Sequence, residues 1–327
     1  MVPLDHVPAI DLGPFLDGSA AGRRSIVVAF QQACEQIGFV IISGHRLPDG
    51  LLDRAFAQSR AFFDLPQPVK DRFTPPLPGK QRGYHAFATR GLAKTLGQEA
   101  PPDLRESLFL GPVDDHRAHY AALPDAADAY APNILPDQPP GLHDTLVALY
   151  RGFERLSADL FRIFALALEL PETWFADKVD RHFSIMSCHH YPALKEMPRP
   201  GQLRTGAHTD YGAMTILAMT EAVGGLEACL PNGSWAPVNA RRGELVINLG
   251  DMMARWTNDR WKSTLHRVVN PPMISLEASR RQSIGYFMHP NFDASIACLA
   301  DGQAPRYPAI TAGGHIRAKI EQSHKAA

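Results

Sequence analysis

Two histidines and one aspartate, set far apart in the chain, constrain its fold more than any other feature. His208 and Asp210 are separated by a single residue, and His266 lies well downstream. Side chains at positions i and i+2 of a β-strand point to the same face of a sheet, so His208 and Asp210 can share one ligand. Since His266 comes from another segment, a fold that unites the three must bring two separate strands together.

Two imidazoles and one carboxylate can form a facial triad on an octahedral ion, which leaves the opposite positions open and is typical of non-haem Fe(II) oxygenases. A His-x-Asp pair in a chain with 14 histidines is more often a surface or capping pair, so it is weak evidence by itself. The same donors also bind zinc or nickel, and affinity alone does not favour Fe(II). A hydrolytic or non-catalytic metal barrel therefore stays open as an interpretation.

We call His208, Asp210 and His266 the first anchor. A second anchor, a candidate site for a carboxylate, follows at Arg281-Gln282-Ser283. Arg281 and Ser283 share a strand face, and a guanidinium with a nearby hydroxyl can hold a carboxylate through several hydrogen bonds. Alone, Arg281 would be interpreted as an ordinary surface residue in an ion pair. Arg280 precedes it, so the register of the anchor is open by one residue.

Ordered short motifs extend from the amino end to the second anchor. They are Val7-Pro8-Ala9-Ile10-Asp11-Leu12, Ala33-Cys34-Glu35-Gln36-Ile37-Gly38-Phe39, Phe62-Phe63-Asp64-Leu65-Pro66, Asp103-Leu104-Arg105-Glu106, Gly225-Leu226-Glu227, Gly233-Ser234-Trp235 and Gly243-Glu244-Leu245-Val246-Ile247-Asn248. Together with the two anchors, this series resembles the isopenicillin N synthase-like family of Fe(II)/2-oxoglutarate-dependent oxygenases over nearly the whole chain. One departure is His189, where many relatives have asparagine in the segment that ends at Tyr191.

The resemblance implies a mainly β fold with flanking helices around a double-stranded β-helix (a jelly roll, cupin-like core). It implies Fe(II) on His208, Asp210 and His266. It also implies 2-oxoglutarate held by Arg281 and Ser283 with help from Tyr191.

With O2 as the other co-substrate, such an enzyme hydroxylates, desaturates or cyclises an unactivated C–H position of a small molecule and releases succinate and CO2. A non-haem iron oxidase of the same fold that uses no 2-oxoglutarate remains the alternative, with the Arg-x-Ser pair then holding another carboxylate.

The chain divides into an N-terminal region, 1–140, and a catalytic region with a backing helix, 141–327, which we expect to form one structural unit. Periodic apolar residues and turn residues predict helices over 21–37, 49–64, 141–169 and 308–325, a buried strand over 38–43 and short strands over 182–290. The proline-rich stretch 65–140 is predicted to wrap the core as loops. Arg90 in this stretch is expected at the surface; an inward Arg90 would indicate a carboxylate-bearing substrate.

Composition excludes several classes of partner. The net charge of −1 gives no basic surface for nucleic acid. No run of about eighteen apolar residues predicts a membrane span. The four cysteines fit neither a zinc spacing nor a disulfide framework. We therefore expect a cytoplasmic, monomeric enzyme that acts on a small molecule.

Overall fold

Two β-sheets face each other and enclose an apolar interior. The structure, a computed structural model, describes residues 6–77, 80–93, 97, 100–221, 225–272, 279–299 and 302–325. In this part of the chain the larger sheet has eight strands, in the spatial order β1 (Ala9–Asp11), β2 (Phe39–Ser43), β10 (Leu245–Leu249), β7 (Met214–Met219), β12 (Arg281–Met288), β5 (Ile185–Tyr191), β4 (Glu106–Leu110) and β3 (Gly83–His85). The smaller sheet consists of β6 (Thr205–His208), β11 (His266–Val268), β8 (Leu226–Cys229) and β9 (Trp235–Pro237).

Apolar side chains from both sheets meet between them. Phe39 and Val246 of the larger sheet pack in one buried cluster with Leu226 and Val268 of the smaller one. Within each sheet the pairs are antiparallel except for β1 with β2. This is the double-stranded β-helix expected from the sequence.

Seven α-helices accompany the two sheets in the described residues, and the second, third and fifth of them contact strands of the larger sheet. The helices are α1 (Gly13–Leu16), α2 (Ala20–Gln36), α3 (Leu51–Phe63), α4 (Gln67–Asp71), α5 (Leu142–Ala167), α6 (Asp251–Trp256) and α7 (Ala312–Lys325), and β13 (Ser295–Ile296) pairs with β14 (Ile310–Thr311) just before α7. The longest of them, α5, contacts α2, α3 and β12. Its buried leucines and phenylalanines recur every three or four residues, which places them on one side of the helix.

The predicted helices and the strand over 38–43 are confirmed, and no end is shifted by more than four residues. The Ser19 hydroxyl caps α2 by accepting a hydrogen bond from the backbone N–H of Gly22. Gly38 then turns the chain into β2 at a φ of +64°, and a Cβ there would lie 1.9 Å from the Lys262 carbonyl oxygen. Glycine is required at this turn for both reasons.

The stretch 65–140 differs from its prediction as loops, because it contains α4, the edge strand β3 and the neighbouring strand β4. All five residues of β4 are buried, so the strand lacks the alternation of polar and apolar residues by which a half-exposed strand is recognised. Strands from the first 140 residues thus lie at both ends of a sheet whose centre comes from later residues. No helix in the described part of the chain is long and apolar enough to cross a membrane.

Candidate metal centre and co-substrate pocket

The smaller sheet places the two histidines opposite each other. His208 is the last residue of β6, His266 is the first of β11, and the two residues are paired in register. Their ring centroids are 4.3 Å apart. Asp210 lies two residues beyond the end of β6, and its Oδ1 is 3.7 Å from His208 Nε2 and 3.8 Å from His266 Nε2. In the described residues these three form the one group of His, Cys, Asp or Glu side chains whose ligand atoms converge closely enough to hold a metal ion.

Hydrogen bonds to the backbone orient both imidazoles. His208 Nδ1 is 2.8 Å from the Gly206 carbonyl oxygen, and His266 Nδ1 is 3.0 Å from that of Thr264. A carbonyl only accepts, so each Nδ1 carries the proton and each Nε2 keeps its lone pair. The two Nε2 atoms are the ones nearest Asp210, and they are therefore available as metal ligands.

Two side chains on the larger sheet hold the Asp210 carboxylate. Its Oδ2 accepts hydrogen bonds from Thr215 Oγ1 at 2.5 Å and from Asn248 Nδ2 at 2.7 Å. Thr215 and Asn248 are opposite each other on β7 and β10, so both reach the carboxylate from one side. The other oxygen, Oδ1, is left to face the histidines, as expected for a ligand oriented by its own hydrogen bonds.

Burial and charge keep these groups in the protonation states that metal binding requires. Burial, reinforced by the neighbouring His266, lowers the pKa of His208 to about 3. Burial alone would raise the pKa of Asp210, but the two histidines and the hydrogen bonds from Thr215 and Asn248 outweigh it and hold that pKa below its usual value. A neutral imidazole and an ionised carboxylate are the forms that bind a divalent metal.

A buried arginine lies beside this centre. Arg281 is 4 % exposed and pairs in register with Tyr191 across β12 and β5. Its guanidinium carbon lies 5.1 Å from the centre of the Tyr191 ring. Two of its nitrogens, Nε and Nη1, are buried without a hydrogen-bond partner among the described residues. Because a buried cation without partners is costly, these nitrogens indicate a site built for an anionic ligand.

Ser283 and Tyr191, the other two residues expected to bind the co-substrate, lie next to Arg281. Ser283 is the next inward-facing residue of β12 and hydrogen-bonds the Tyr191 phenol, which also lies 3.3 Å from the Thr205 hydroxyl. Burial would raise the pKa of Tyr191, but the positive charges of Arg105 and Arg281 and these hydrogen bonds hold it below its usual value. The donors converge where a carboxylate would need them.

The neighbouring Arg280 faces the other side of the sheet. Its Nε donates to His190 Nε2 at 2.8 Å, and its Nη2 donates to Asp64 at 2.5 Å. The one-residue ambiguity in the sequence is thus resolved by the pleat, which turns Arg281 inward and Arg280 outward.

Arg204 is a functional candidate that sequence reasoning missed. It is fully buried, its guanidinium carbon lies 5.8 Å from the Tyr191 ring centre, and its Nη2 donates to the Ser279 carbonyl at 2.6 Å. Its Nε and Nη1 have no partner in the part of the chain described. An arginine just before a short strand carries no sequence signal that separates it from a surface residue.

His208, Asp210 and His266 are called the metal group below. The two histidines before Tyr191 do not belong to it. His189 Nδ1 is 2.7 Å from the Ser107 hydroxyl, and its Nε2 is 2.7 Å from that of Ser187. His190 points to the opposite face, where its Nδ1 lies 2.7 Å from Glu106 Oε1. Both rings are therefore occupied by hydrogen bonds within the large sheet.

The carboxy-terminal helix is tied to the loop that carries the ligands. Asp251, at the start of α6, accepts hydrogen bonds from Thr209 at 3.1 Å and Ser263 at 2.6 Å, and Lys319 of α7 pairs with it at 2.6 Å. Thr209 lies between His208 and Asp210 in sequence. A chain of contacts thus runs from α7 to the metal group.

Comparisons with known proteins agree with this geometry. Residues 7–138 match the family model for the non-haem dioxygenase in morphine synthesis N-terminal region, and residues 182–290 match that of the 2OG-Fe(II) oxygenase superfamily. The 2-oxoglutarate-Fe(II) type oxidoreductase hxnY of Emericella nidulans is 31% identical over 97% of this chain and 90% of its own length. Validamycin A dioxygenase of Streptomyces hygroscopicus subsp. limoneus is also 31% identical, over 96% and 85%.

Solved structures agree as well. A full-length Neurospora crassa protein crystallised in complex with alpha-KG superposes with a TM-score of 0.84 at 29% identity, covering 98% of this chain and 96% of that one. The rice dioxygenase for auxin oxidation has a TM-score of 0.72 at 28% identity, covering 97% and 95%.

The fold and the site define a non-haem iron oxygenase. This chain belongs to the 2OG-Fe(II) oxygenase superfamily and is an oxidoreductase that uses Fe(II), 2-oxoglutarate and O2 on a small-molecule substrate.

Proposed function

We propose that His208, Asp210 and His266 bind the catalytic Fe(II) in this enzyme. The observation that carries the assignment is the set of three donor atoms left free by their neighbours: both Nε2 atoms and Asp210 Oδ1 face one point, while the other polar atoms of these side chains are already hydrogen-bonded. Three ligands on one side of an octahedral ion leave room for a bidentate co-substrate and O2.

Arg281, Ser283 and Tyr191 bind 2-oxoglutarate in this proposal. Arg281 offers two unpartnered nitrogens, among the described residues, at a buried position, which suits the carboxylate distant from the metal. The Ser283 and Tyr191 hydroxyls add hydrogen bonds. Arg204 supplies a second positive charge next to Tyr191, so the doubly charged co-substrate enters a pocket of opposite sign.

The chemistry is an oxidation of an unactivated C–H bond. When bound, Fe(II) and 2-oxoglutarate supply the activation of O2, with release of succinate and CO2. The protein holds the ligands, orients the co-substrate and excludes water through the apolar walls between the sheets. Hydroxylation is the reaction we assign; desaturation and cyclisation use the same constellation.

We infer further that the protein works as a cytoplasmic monomer without nucleic-acid or membrane partners, and that residues 1–140 and 141–327 form one unit. Support for the unit comes from the strands of both regions that share the larger sheet. The free cysteines support a reducing compartment. One relative is named for validamycin A and another was crystallised with thymine, so the substrate must be identified from this chain's own pocket.

An anaerobic titration tests the assignment. Metal-free protein receives Fe(II) and then 2-oxoglutarate, and a visible charge-transfer band on the second addition reports chelation to iron. We expect the band in the wild type and its loss in His266→Ala. Iron binding without a band would favour the oxidase that needs no 2-oxoglutarate, and no iron binding at all would refute the triad.

A further inference from the structure

A second pair of arginines lines the large sheet on the face that carries the 2-oxoglutarate pocket. Arg105 precedes β4, and its Nη1 lies 3.3 Å from His189 Nε2. Arg90 lies with its guanidinium carbon 5.5 Å from the centre of the Phe109 ring. Arg90 is half-buried, whereas its loop position suggested an exposed side chain. We call Arg90, Arg105, Phe109 and His85 the arginine subsite.

Strand register places the subsite on the inward face. His85 of β3 pairs with Ser107 of β4, and Ser107 pairs with His189 of β5. His189 in turn pairs with Ser283 of β12. Paired residues of neighbouring strands point to one side of a sheet, so His85 lies in the same row as the Ser283 that belongs to the co-substrate pocket. Phe109, two residues after Ser107, faces that side as well.

The subsite lies beside the co-substrate pocket. Arg105 Nη1 is 3.3 Å from His189 Nε2, and the centre of the His189 ring is 6.4 Å from that of the Tyr191 ring. His189 also pairs in register with Ser283. Arg105 is thus separated from the co-substrate pocket by one histidine ring. Since Arg281 and Arg204 already serve that pocket in the proposed function, the subsite remains for another ligand.

The polar groups of the subsite are incompletely paired. The Arg90 guanidinium forms no hydrogen bond or ion pair with any residue that the structure describes; its contact there is with Phe109. Arg105 has one acidic neighbour, Asp103, at 3.4 Å. His85 presents a buried Nε2 without a hydrogen-bond partner among the described residues, and its ring packs edge-on against Phe109 at 5.1 Å.

Charge identifies the ligand class. Asp103 offsets one of the two guanidinium charges, which leaves a single positive charge for the ligand to balance. One carboxylate meets this need with two acceptor oxygens, and a guanidinium is the group best suited to bind it. Phe109 adds an apolar surface next to the charge. A cationic substrate would be repelled, and a neutral one would leave the charge of Arg90 unbalanced.

We propose that the substrate of this enzyme is a small organic acid whose carboxylate is bound by Arg90 and Arg105. The inference rests on the proposed function, because it places the acid beside iron-bound 2-oxoglutarate. Arg90 binds one side of the carboxylate, Arg105 binds the other, and His85 Nε2 lies within the same subsite. The carbon skeleton then extends from Phe109 toward the metal group.

The test compares acids with their primary amides. Butyrate, phenylacetate and decanoate, each beside its amide, are added without O2 to enzyme loaded with Fe(II) and 2-oxoglutarate, and the shift of the charge-transfer band gives the dissociation constants. The members of a pair differ little in size, so their ratio isolates the charge. We expect at least one acid to bind about tenfold or more tightly than its amide, as a charged hydrogen bond predicts.

Three variants test whether Arg90 and Arg105 cause the tighter binding of acids. Arg90→Gln and Arg105→Gln should bring the acid-to-amide ratio to within about threefold, while the band with 2-oxoglutarate stays. Arg117→Gln is the control, since Arg117 is exposed and paired with Asp115; it should keep the wild-type ratio. If Arg105→Gln does not fold, Arg90→Gln still tests the proposal, because the Arg90 side chain has no polar partner to lose among the described residues.

The other outcomes overturn the inference. They are equal binding of acids and amides, no binding of any acid, a ratio that survives in both arginine variants, and loss of the band as an acid displaces 2-oxoglutarate. In each case the band formed before addition shows that the proposed function stands. If 2-oxoglutarate produces no band in the wild type, the proposed function fails, and this inference fails with it.

Discussion

Replacing Arg281 with glutamine should separate co-substrate binding from folding. In the wild type two guanidinium nitrogens are buried without partners among the described residues, so the arginine is unfavourable until a carboxylate arrives. Removing one partner of a buried, hydrogen-bonded charge pair costs about 2–5 kcal/mol. At about 1.4 kcal/mol per factor of ten, the dissociation constant of 2-oxoglutarate should rise by roughly 30-fold to several thousand-fold.

In the absence of 2-oxoglutarate, Arg281→Gln should be at least as stable to unfolding as the wild type. A neutral side chain removes a desolvated charge that lies against the Tyr191 ring. Added 2-oxoglutarate stabilises the folded protein by an amount set by its saturation, about 2.7 kcal/mol at one hundred times the dissociation constant. At a concentration that saturates the wild type, Arg281→Gln should lose most of that gain.

Two measurements check this prediction: an anaerobic titration that follows the charge-transfer band, and thermal unfolding with and without 2-oxoglutarate. The matched control is Arg280→Gln, which removes contacts to Asp64 and His190 on the opposite face and should change 2-oxoglutarate affinity less than about threefold. If Arg281→Gln bound 2-oxoglutarate normally, or unfolded markedly earlier in its absence, the guanidinium would be structural and the argument wrong.

Four further substitutions give expected outcomes. His266→Ala should abolish Fe(II)-dependent turnover and leave the circular dichroism spectrum unchanged; full activity would refute the ligand assignment. Thr215→Val and Asn248→Leu each remove one hydrogen bond from Asp210, and each should weaken Fe(II) binding about 10- to 100-fold, measured by metal titration; unchanged affinity would show that the carboxylate needs no support. Burial lowers the pKa of His289 to about 3, so the unfolded chain binds a proton there that the folded protein does not between about pH 6.5 and pH 3. Stability should therefore fall as the pH falls through this window, and His289→Gln should lose about 3 kcal/mol less than the wild type between about pH 7 and pH 4 in urea unfolding. An equal loss in both proteins would contradict the pKa assignment.

The sequence alone determined the proposed ligands and most of the elements. His208, Asp210 and His266 could be selected because donor type and strand spacing are local properties, and motif order supplied the family resemblance. Helix α5 could be placed because its apolar residues recur at the period of a helix. The stretch with β3 and β4 could not, because β4 is buried along its whole length and a strand without alternation has no period to detect.

Tertiary structure alone decided which polar groups face the pocket. The pleat of β12 turns the side chains of Arg280 and Arg281 to opposite faces of the sheet. The sequence alone does not tell which of these two adjacent arginines faces inward. Pairing across strands brings Thr215 and Asn248 to one oxygen of Asp210, although neither has a local signal of contact with it. Arg204, Arg90 and Arg105 were ambiguous for the same physical reason: whether a guanidinium meets water or a ligand depends on what packs around it, and here that packing comes from distant parts of the chain.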